Sequence, residues 1–221
     1  WLWSGNRHRY GSYSWWWIIV GVNTFDGKGG DKTDTARGNL DIWLVKIDRD
    51  GNIVWDKTLG GSEGEGLGEI IVTPDGSILI AGSSNSGISG DKKTGNFGIV
   101  DAWLVKLNSN GGYLWDKSFG GSGGDSFYTG LVDKDGNYIF GGTSYSPISG
   151  NKTDTSRGGN DGWLVKTDAD GNIIWDKTLG GDLTDYIQSM AMTSERDYVL
   201  GIISPSSISG DKTVDRRGGN D

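Results

Sequence analysis

The stretch SGNKTDTSRGGNDGWLVKTDADGNIIWDKTLGG, from Ser149 to Gly181, recurs along the chain with little change. The tetrapeptide WLVK occurs three times at a constant spacing, beginning at Trp43, Trp103 and Trp163. A second tryptophan and several glycines keep the same step elsewhere in the unit. Self-similarity at a fixed period, here about 60 residues, is the signature of a repeat architecture. The sequence therefore predicts three complete units and the first part of a fourth.

Each unit contains four stretches that read as β-strands. In the second unit they are LGEIIVTPD, GSILIAGSS, AWLVKLN and GYLWDKSFG, which combine alternation with β-branched and aromatic residues. The segments DRDGN, NSNGG, DADGN and DKDGN supply the Asp, Asn and Gly of hairpin turns. Four antiparallel strands per tandem unit are typical of a β-propeller blade, whereas the units of a solenoid are shorter.

We therefore predict an all-β propeller that forms a single repeat domain over 1–221, in which Trp43, Trp103 and Trp163 occupy equivalent buried places between blades. About three and a half four-stranded blades fit the chain, at about 1–62, 63–122, 123–182 and, for the partial blade, 183–221.

Composition excludes several classes of function. A net charge of −8 argues against nucleic acid as a partner, because phosphates require a basic surface. The absence of cysteine excludes disulfides and thiolate chemistry, and the single histidine, His8, excludes His-based triads and metal clusters. No apolar run approaches the roughly 18 residues that a membrane span needs.

The repeated words resemble those of a known group of proteins. SGDKT and RGGND, followed by WLVK and by DGNI with WDKT, are similar to the tandem-repeat propeller segments of secreted or surface proteins of Bacteroidota-like bacteria. The core LVK-x-D-x-DGN also resembles the blade repeat of quinoprotein-like propellers. The resemblance implies a propeller and an extracellular or cell-surface location. It implies no cofactor residues.

The two ends of the sequence depart from the repeat. Residues 1–17, WLWSGNRHRYGSYSWWW, are either a divergent aromatic edge strand or a frame-shifted version of the first strand, since a one-base shift turns the tryptophan codon TGG into a glycine codon. The sequence stops before the third strand of the fourth unit, which favours a piece of a longer protein whose further strands close the ring. We expect the hydrophobic edge Tyr198–Ile203 to be covered by a partner chain, a second copy or the aromatic segment.

A connection of about 17 residues between the second and third strands carries the candidate functional residues, because loops this long are often functional. Its Asp and Asn residues are candidate ligand-binding groups: Asp31, Asp34, Asp91, Asn96, Asn151, Asp154, Asp211 and Asp215. The aspartate before each third strand is a candidate metal ligand: Asp41, Asp101, Asp161 and Asp221. Oxygen ligands in Gly-rich loops suit Ca²⁺. The alternative is that each aspartate caps its own loop.

Two other acidic motifs favour structural interpretations. DRDGN lacks the spacing and the final Glu of an EF-hand loop, which favours a hairpin turn. The WDK motif lies on the predicted outer strand, so we expect its aspartate and lysine (Asp56, Asp116, Asp176 and the lysines that follow) to form a solvated edge.

The sequence favours a binding module over an enzyme. Near-identical units repeat the same groups, which suits multivalent binding, whereas catalysis needs one asymmetric arrangement. We expect a glycan, a peptide or Ca²⁺ as the ligand, on the face that carries the long loops. The alternative is a metal- or carboxylate-dependent hydrolase or lyase that uses the same face.

Overall fold

The computed structural model describes residues 2–5, 17–25 and 27–215, and this part of the chain is all-β, with fourteen strands and no helix. No helix that is long and apolar enough to cross a membrane occurs among these residues. The strands are β1 (Leu2–Gly5), β2 (Trp17–Thr24), β3 (Asp41–Asp48), β4 (Ile53–Leu59), β5 (Glu65–Val72), β6 (Ile78–Ser84), β7 (Asp101–Leu107), β8 (Tyr113–Phe119), β9 (Asp125–Val132), β10 (Tyr138–Ser144), β11 (Asp161–Thr167), β12 (Ile173–Leu179), β13 (Tyr186–Met192) and β14 (Tyr198–Ile203).

These strands form three four-stranded sheets, with a two-stranded sheet completing the described part of the chain. The orders are β1-β2-β3-β4, β5-β6-β7-β8, β9-β10-β11-β12 and β13-β14, so neighbours in sequence are neighbours in the sheet. The registered pairs are antiparallel. The all-β class and the predicted grouping of strands by four are confirmed. The propeller arrangement of the sheets stays a prediction.

The chain forms two compact units, Trp1–Gly95 with Leu104–Lys117 and Asn96–Trp103 with Ser118–Asp221. The core of the first unit is aliphatic, with fully buried side chains that include Ile19, Leu44, Leu59 and Leu79. Strand β6 is buried at six of its seven positions. Burial of successive residues means that both faces of this strand are covered, since successive side chains point to opposite faces.

The core of the second unit is built around aromatic rings. The ring of Phe127 stacks on Phe140 at 5.1 Å and on Trp163 at 5.8 Å between centroids. On the other face of the third sheet, Ile139 packs with Ile187 of β13. Aromatic pairs of this kind stabilise the fold by more than the apolar area they bury accounts for. Packing between the third and fourth sheets of the chain therefore stabilises the second compact unit.

The tryptophans of WLVK differ in burial between the sheets. Trp103 and Trp163 are fully buried, as predicted. Trp43 is half-buried, although its indole Nε1 donates a 3.0 Å hydrogen bond to Asp56 Oδ2 as Trp163 does to its own aspartate. The predicted equivalence of the three positions thus holds for the hydrogen bond of Trp43 and Trp163 but not for the burial of Trp43.

The D-x-D-G-N segments form hairpin turns, which confirms the structural interpretation. In the first sheet, Asp48 Oδ1 accepts hydrogen bonds of 2.9 Å from the amides of Asp50 and Asn52, and Gly51 has a φ of 88°. The carboxylate is used inside the turn, where it replaces a backbone acceptor.

The turn between β13 and β14 contains a backbone conformation that its side chain disfavours. Arg196 has a φ of 77°, whereas the second and third sheets have Gly76 at 80° and Gly136 at 83° in the corresponding place. For a residue with a Cβ, this left-handed conformation is less stable by roughly 1–2 kcal/mol. The fourth repeat therefore has arginine at a turn position where the backbone keeps the left-handed conformation that glycine adopts in the second and third repeats.

Replacing Arg196 with glycine is expected to raise the free energy of unfolding by about 1 kcal/mol. The change removes an ion pair with Asp135 at 3.0 Å, but both side chains are exposed and such pairs contribute little. Urea denaturation measures the difference. The matched control is Glu195→Gly in the same turn, where the backbone is not left-handed and glycine should destabilise. An Arg196→Gly variant that is no more stable than the wild type would contradict the strain.

Candidate functional site

The long loops between second and third strands end at a buried aspartate. In the third sheet, Asp161 Oδ2 accepts hydrogen bonds from the amides of Arg157 at 2.8 Å and Gly158 at 3.4 Å, and from the hydroxyl of Ser156. In the first sheet, Asp41 Oδ2 accepts the equivalent amide bonds. This aspartate folds the loop back onto the strand that follows it.

A second acidic residue lies against this aspartate. Asp185 Oδ2 accepts hydrogen bonds from the amide of Gly181 at 2.8 Å and from Ser206 Oγ at 3.2 Å. A Cβ placed on Gly180 would lie 2.5 Å from Asp161 Oδ1 and 2.8 Å from Asp185 Oδ2. Both carboxylates are fully buried. Two buried acids therefore converge on one glycine.

The same arrangement recurs at the step of the sequence repeat. In each case the amide of the second acid donates to the carbonyl of the residue just before the first aspartate, at 2.6–2.8 Å, which brings the two side chains together. A glycine, Gly60 or Gly120, again leaves room for the carboxylate oxygens. We call the three sets the carboxylate pairs: Asp41 with Glu65, Asp101 with Asp125, and Asp161 with Asp185.

Several oxygens of the carboxylate pairs lack a partner. Among the described residues, nothing donates a hydrogen bond to the buried Oδ1 atoms of Asp41, Asp125, Asp161 and Asp185. A buried carboxylate oxygen without a partner is costly, and a cation or an ordered water relieves the cost. No group of three or more acidic or histidine side chains suited to a metal occurs in the described ranges. A cation at a pair would therefore take its other ligands from backbone carbonyls and water.

The aspartate of WDK is buried in the second and third sheets and half-buried, as Asp56, in the first, so the prediction of a solvated edge is wrong for this residue. Asp176 is 3% exposed. Its Oδ2 accepts hydrogen bonds from Trp163 Nε1 at 3.0 Å and from the amides of Thr153 and Asp154 at 3.1 and 3.2 Å. The Thr153 hydroxyl donates to its Oδ1. The carboxylate thus holds the middle of the long loop, at Thr153 and Asp154, against the outer strand.

The reason for the error is that the long loop covers the outer strand. Asp116 is buried as well, whereas Lys177 is exposed, as predicted. Burial acts to raise the pKa of Asp176, but hydrogen bonds from Thr153 and Trp163 outweigh it and hold the pKa below its usual value. Alternation along a strand gives two faces but does not say what covers them.

Two of the candidate ligand-binding residues fix the loop to the fourth strand. Asp34 Oδ2 accepts the amide of Thr58 at 3.0 Å, and Asp154 Oδ2 accepts the amide of Thr178 at 2.8 Å. Burial acts to raise the pKa of Asp34, but the Arg37 guanidinium and these amide bonds lower it to about 2. These oxygens are engaged within the loop, as the alternative of self-capping aspartates predicts.

Three further candidates join each loop to the preceding sheet. The amide of Asn151 donates to the Gly120 carbonyl at 3.0 Å, and its Oδ1 accepts the Gly120 amide at 2.9 Å. Within each unit, an arginine of one loop then pairs with the next loop at 3.1 Å, as Arg37 with Asp91 and Arg157 with Asp211. Adjacent loops of a unit therefore lie side by side, as the prediction of a common loop face requires.

The remaining candidates lie nearer the loop surface or outside the described residues. Asp31 and Asp215 are exposed and Asn96 is half-buried. Asp221 falls outside the described residues, as does most of the aromatic segment 1–17.

The loops expose large apolar side chains that the sequence analysis missed. Ile88, Ile148 and Ile208 occupy the same place in successive units and are 71%, 61% and 64% exposed. We call these three residues the apolar loop positions. A repeated isoleucine before Ser-Gly, in GISG, PISG and SISG, was the available signal.

The second members of the carboxylate pairs were also missed. Glu65, Asp125 and Asp185 follow the double glycine by the same spacing and keep the step of the repeat. That periodicity marked them as structurally equivalent. What they contact depends on the neighbouring sheet, which no local pattern reveals.

The chain is only distantly similar to the known proteins described below. No family model matches the chain. The regulatory protein FlaEY of Caulobacter vibrioides is 25% identical over 162 residues, which cover 71% of this chain and 17% of that protein. The chain thus spans a small part of this relative. Among solved structures, a mutant apocarotenoid oxygenase of Synechocystis aligns at 12% identity and a TM-score of 0.36, over 76% of this chain and 35% of that one. Neither similarity assigns a family.

Proposed function

We propose that the chain is a segment of a β-propeller that serves as an extracellular binding module. Its ligand is a peptide segment of a partner protein that packs on the two apolar loop positions of the second compact unit, Ile148 and Ile208. The observation that carries this proposal is the repeated exposure of isoleucine on loops that are otherwise tightly hydrogen-bonded. The extracellular or cell-surface location rests on the resemblance of the repeat to secreted propeller segments.

The loops are suited to binding because their conformation is fixed in advance. On either side of Ile148, Ser146 Oγ donates to the buried Asp125 at 2.7 Å and the Lys152 amide donates to the Ser149 carbonyl at 3.0 Å. Farther along the same loop, buried Asp176 and Asp161 accept the amides of Asp154 and Arg157. The exposed Ile148 therefore projects from a loop that loses little conformational freedom when a ligand binds. Preorganisation of this kind raises affinity.

The chemistry of the loop surface favours a peptide over a glycan. Branched aliphatic side chains such as Ile148 and Ile208 pack well on apolar peptide side chains, whereas sugars pack on flat aromatic faces. Tyr145 of the same loop is 65% exposed and offers such a face, but the repeat has Asn85 and Pro205 at this position, whereas isoleucine recurs. Burial of the carboxylate pairs also favours binding over the alternative of a hydrolase, because a substrate cannot reach carboxylates that are closed off beneath the loops.

Replacing Ile148 and Ile208 together with aspartate is expected to weaken peptide binding by at least about tenfold, because each isoleucine contributes about 1.5 kcal/mol or more on burial. The probe is a set of phage-displayed peptides selected on the wild-type protein. The control is Ile174→Asp on β12, where the side chain is also half-exposed at 51% but lies on an outer strand. Peptides that bind the double variant as well as the wild type would contradict the proposal. Selection of glycans, and no peptide, from parallel arrays would assign the loops to carbohydrate.

A calcium ion at the carboxylate pairs is a second candidate function, favoured by the unpartnered buried oxygens. Asp161 and Asp185 bring two acids to one place and leave both Oδ1 atoms without a hydrogen bond from any described residue. Ca²⁺ prefers carboxylate and carbonyl oxygens, and its charge would offset that of the pair. Such an ion would stabilise the loop face without contacting the peptide.

Calcium chloride is then expected to raise the thermal midpoint relative to EDTA, and Asp161→Asn or Asp185→Asn should reduce the increase, because each removes one of the three pairs. A roughly hundredfold excess of ligand over Kd corresponds to about 2.7 kcal/mol for one site. Asp170→Asn is the matched control, because this turn aspartate is exposed. Equal midpoints in calcium and EDTA would exclude the ion, and an Asp161→Asn variant that keeps the full response would exclude it from the pair of Asp161 and Asp185.

A further inference from the structure

The turn between β7 and β8 of the second sheet carries a chemically reactive pair of residues. Asn110 is exposed, and Gly111 follows it with a φ of 77°. Asparagine before glycine is prone to deamidation, because no side chain shields the glycine amide from the asparagine carboxamide and the backbone is free to rotate. The sequence contains this pair once. The turn lies at the opposite end of β7 from the long loop, so the pair belongs to neither the peptide site nor the carboxylate pairs.

The other repeats show that this turn accepts aspartate in place of Asn110. Asp50 and Asp170 stand at the equivalent positions. The amide of each donates a 2.9 Å hydrogen bond to the side chain two residues earlier, as the amide of Asn110 does to Asn108 Oδ1. Gly171, which follows Asp170, also has a φ of 77°. Conversion of Asn110 to aspartate therefore leaves the conformation of the turn unchanged.

The closed turn slows the reaction, because it holds the nitrogen that must attack. The Gly111 amide donates a 3.0 Å hydrogen bond to the Asn108 carbonyl, and Asn108 Oδ1 accepts the amides of Asn110 and Gly112 at 2.9 Å. An amide that donates to a carbonyl loses its proton less readily and is a weaker nucleophile. The reaction therefore requires these hydrogen bonds to open locally.

We propose that Asn110 is a site of spontaneous deamidation that is controlled by opening of the β7–β8 turn. The Gly111 nitrogen loses its proton and attacks Asn110 Cγ, the bond from Cγ to the side-chain nitrogen breaks, and ammonia leaves with that proton. Water then opens the cyclic imide. Cleavage between Cγ and the nitrogen gives aspartate, whereas cleavage between the main-chain carbonyl carbon and the nitrogen gives isoaspartate, in which the chain runs through the side chain.

The two products differ in their effect on the first compact unit, which contains both the turn and the first sheet. Lys46 Nζ donates a 2.7 Å hydrogen bond to the Ser109 carbonyl, and a Cβ on Gly111 would lie 3.3 Å from the Trp55 ring. Aspartate preserves these contacts. Isoaspartate adds a methylene to the main chain before Gly111 and displaces that residue from Trp55. Accumulation of isoaspartate therefore lowers the stability of this unit.

Peptide mapping of the whole 221-residue chain after incubation in mildly alkaline buffer tests the proposal. Trypsin releases residues 107–117, LNSNGGYLWDK, in which deamidation adds about 1 Da. Fragmentation should place the added mass on Asn110 and not on Asn108, whose side-chain oxygen is engaged in the turn. A free peptide of the same sequence, which has no such turn, should deamidate at least about tenfold faster than the folded chain.

Variants of Asn108 separate control by the turn from simple exposure. Asn108→Ala removes the acceptor of two turn amides and should accelerate deamidation of Asn110 at least about threefold. Asn108→Asp is the matched control and should keep the wild-type rate, because Asp48 and Asp168 accept the same amides in the other repeats. Asn110→Asp, which reproduces the aspartate product, should leave the thermal midpoint unchanged.

Four results would overturn the proposal. One is an Asn110 that remains an amide even in Asn108→Ala, and another is a folded chain that deamidates as fast as the free peptide. The third is an equal rate in the wild type and Asn108→Ala. The last is a lower thermal midpoint of Asn110→Asp, because the turn would then require asparagine. Peptide binding at Ile148 and Ile208 should be the same before and after deamidation, which separates this site from the proposed binding function.

Discussion

An Asp176→Ala variant is expected to lose about 2–4 kcal/mol of its free energy of unfolding. The change removes the acceptor of the buried Trp163 Nε1 and of the amides of Thr153 and Asp154, which lie nearer the surface. Each unsatisfied buried donor costs about 1–3 kcal/mol, although water that enters the space of the lost carboxylate offsets part of the sum. For a domain whose total stability is about 5–15 kcal/mol, this is a large fraction.

Urea denaturation of three variants tests this expectation. Lys177→Ala removes the neighbouring exposed side chain of the same WDK motif and should change stability by no more than about 0.5 kcal/mol. Asp176→Asn keeps one acceptor oxygen and should fall between the two. Equal stability of Asp176→Ala and Lys177→Ala would mean that the carboxylate lies in solvent, as the sequence pattern predicted.

A Gly158→Ala variant is expected to lose about 2–3 kcal/mol, in the range of overpacked positions. A Cβ at this residue would lie 2.4 Å from the Gly181 carbonyl oxygen and 2.5 Å from the Asp182 carbonyl carbon. Both atoms belong to the backbone, so a side-chain rotation cannot relieve the contact. Either the loop or the start of the next sheet must move.

The adjacent glycine supplies the control. In Gly159→Ala the nearest atom would be the Leu183 carbonyl oxygen at 3.2 Å, and other units carry Asn39 and Ile99 in this place. This variant should lose less than about 1 kcal/mol, since the neighbour has only to give slightly. Limited proteolysis should cut the 145–160 loop faster in Gly158→Ala than in Gly159→Ala. Equal stability of the two variants would show that the loop does not depend on this close approach.

These two variants bear on function because both act on the loop that presents Ile148. If Asp176 and Gly158 hold the loop in one conformation, loosening it should weaken peptide binding even though neither residue contacts the ligand. The effect would be a loss of preorganisation. Restoring binding at low temperature, where the loop is ordered again, would distinguish this cause from the loss of a direct contact.

The strands and turns of this protein followed from local patterns. WLVK, DGN and their constant spacing predicted antiparallel strands joined by hairpins, and Gly51 and Asp48 form the turns that DRDGN predicted. Such features can be predicted from sequence because alternation and turn chemistry involve residues within a few positions of each other. Comparison of the repeats also shows that Arg196 stands where the two preceding repeats have glycine.

The surroundings of the acidic residues did not follow from local patterns. Asp161 meets Asp185, and Asp176 meets Thr153, across long stretches of chain, through a neighbouring sheet in one case and a folded-back loop in the other. The repeat indicated that each acidic residue is equivalent to its counterparts, but it did not predict which residues that acid contacts. Whether a carboxylate is solvated, capped or paired depends on which surfaces cover it, and coverage arises only when distant segments pack together.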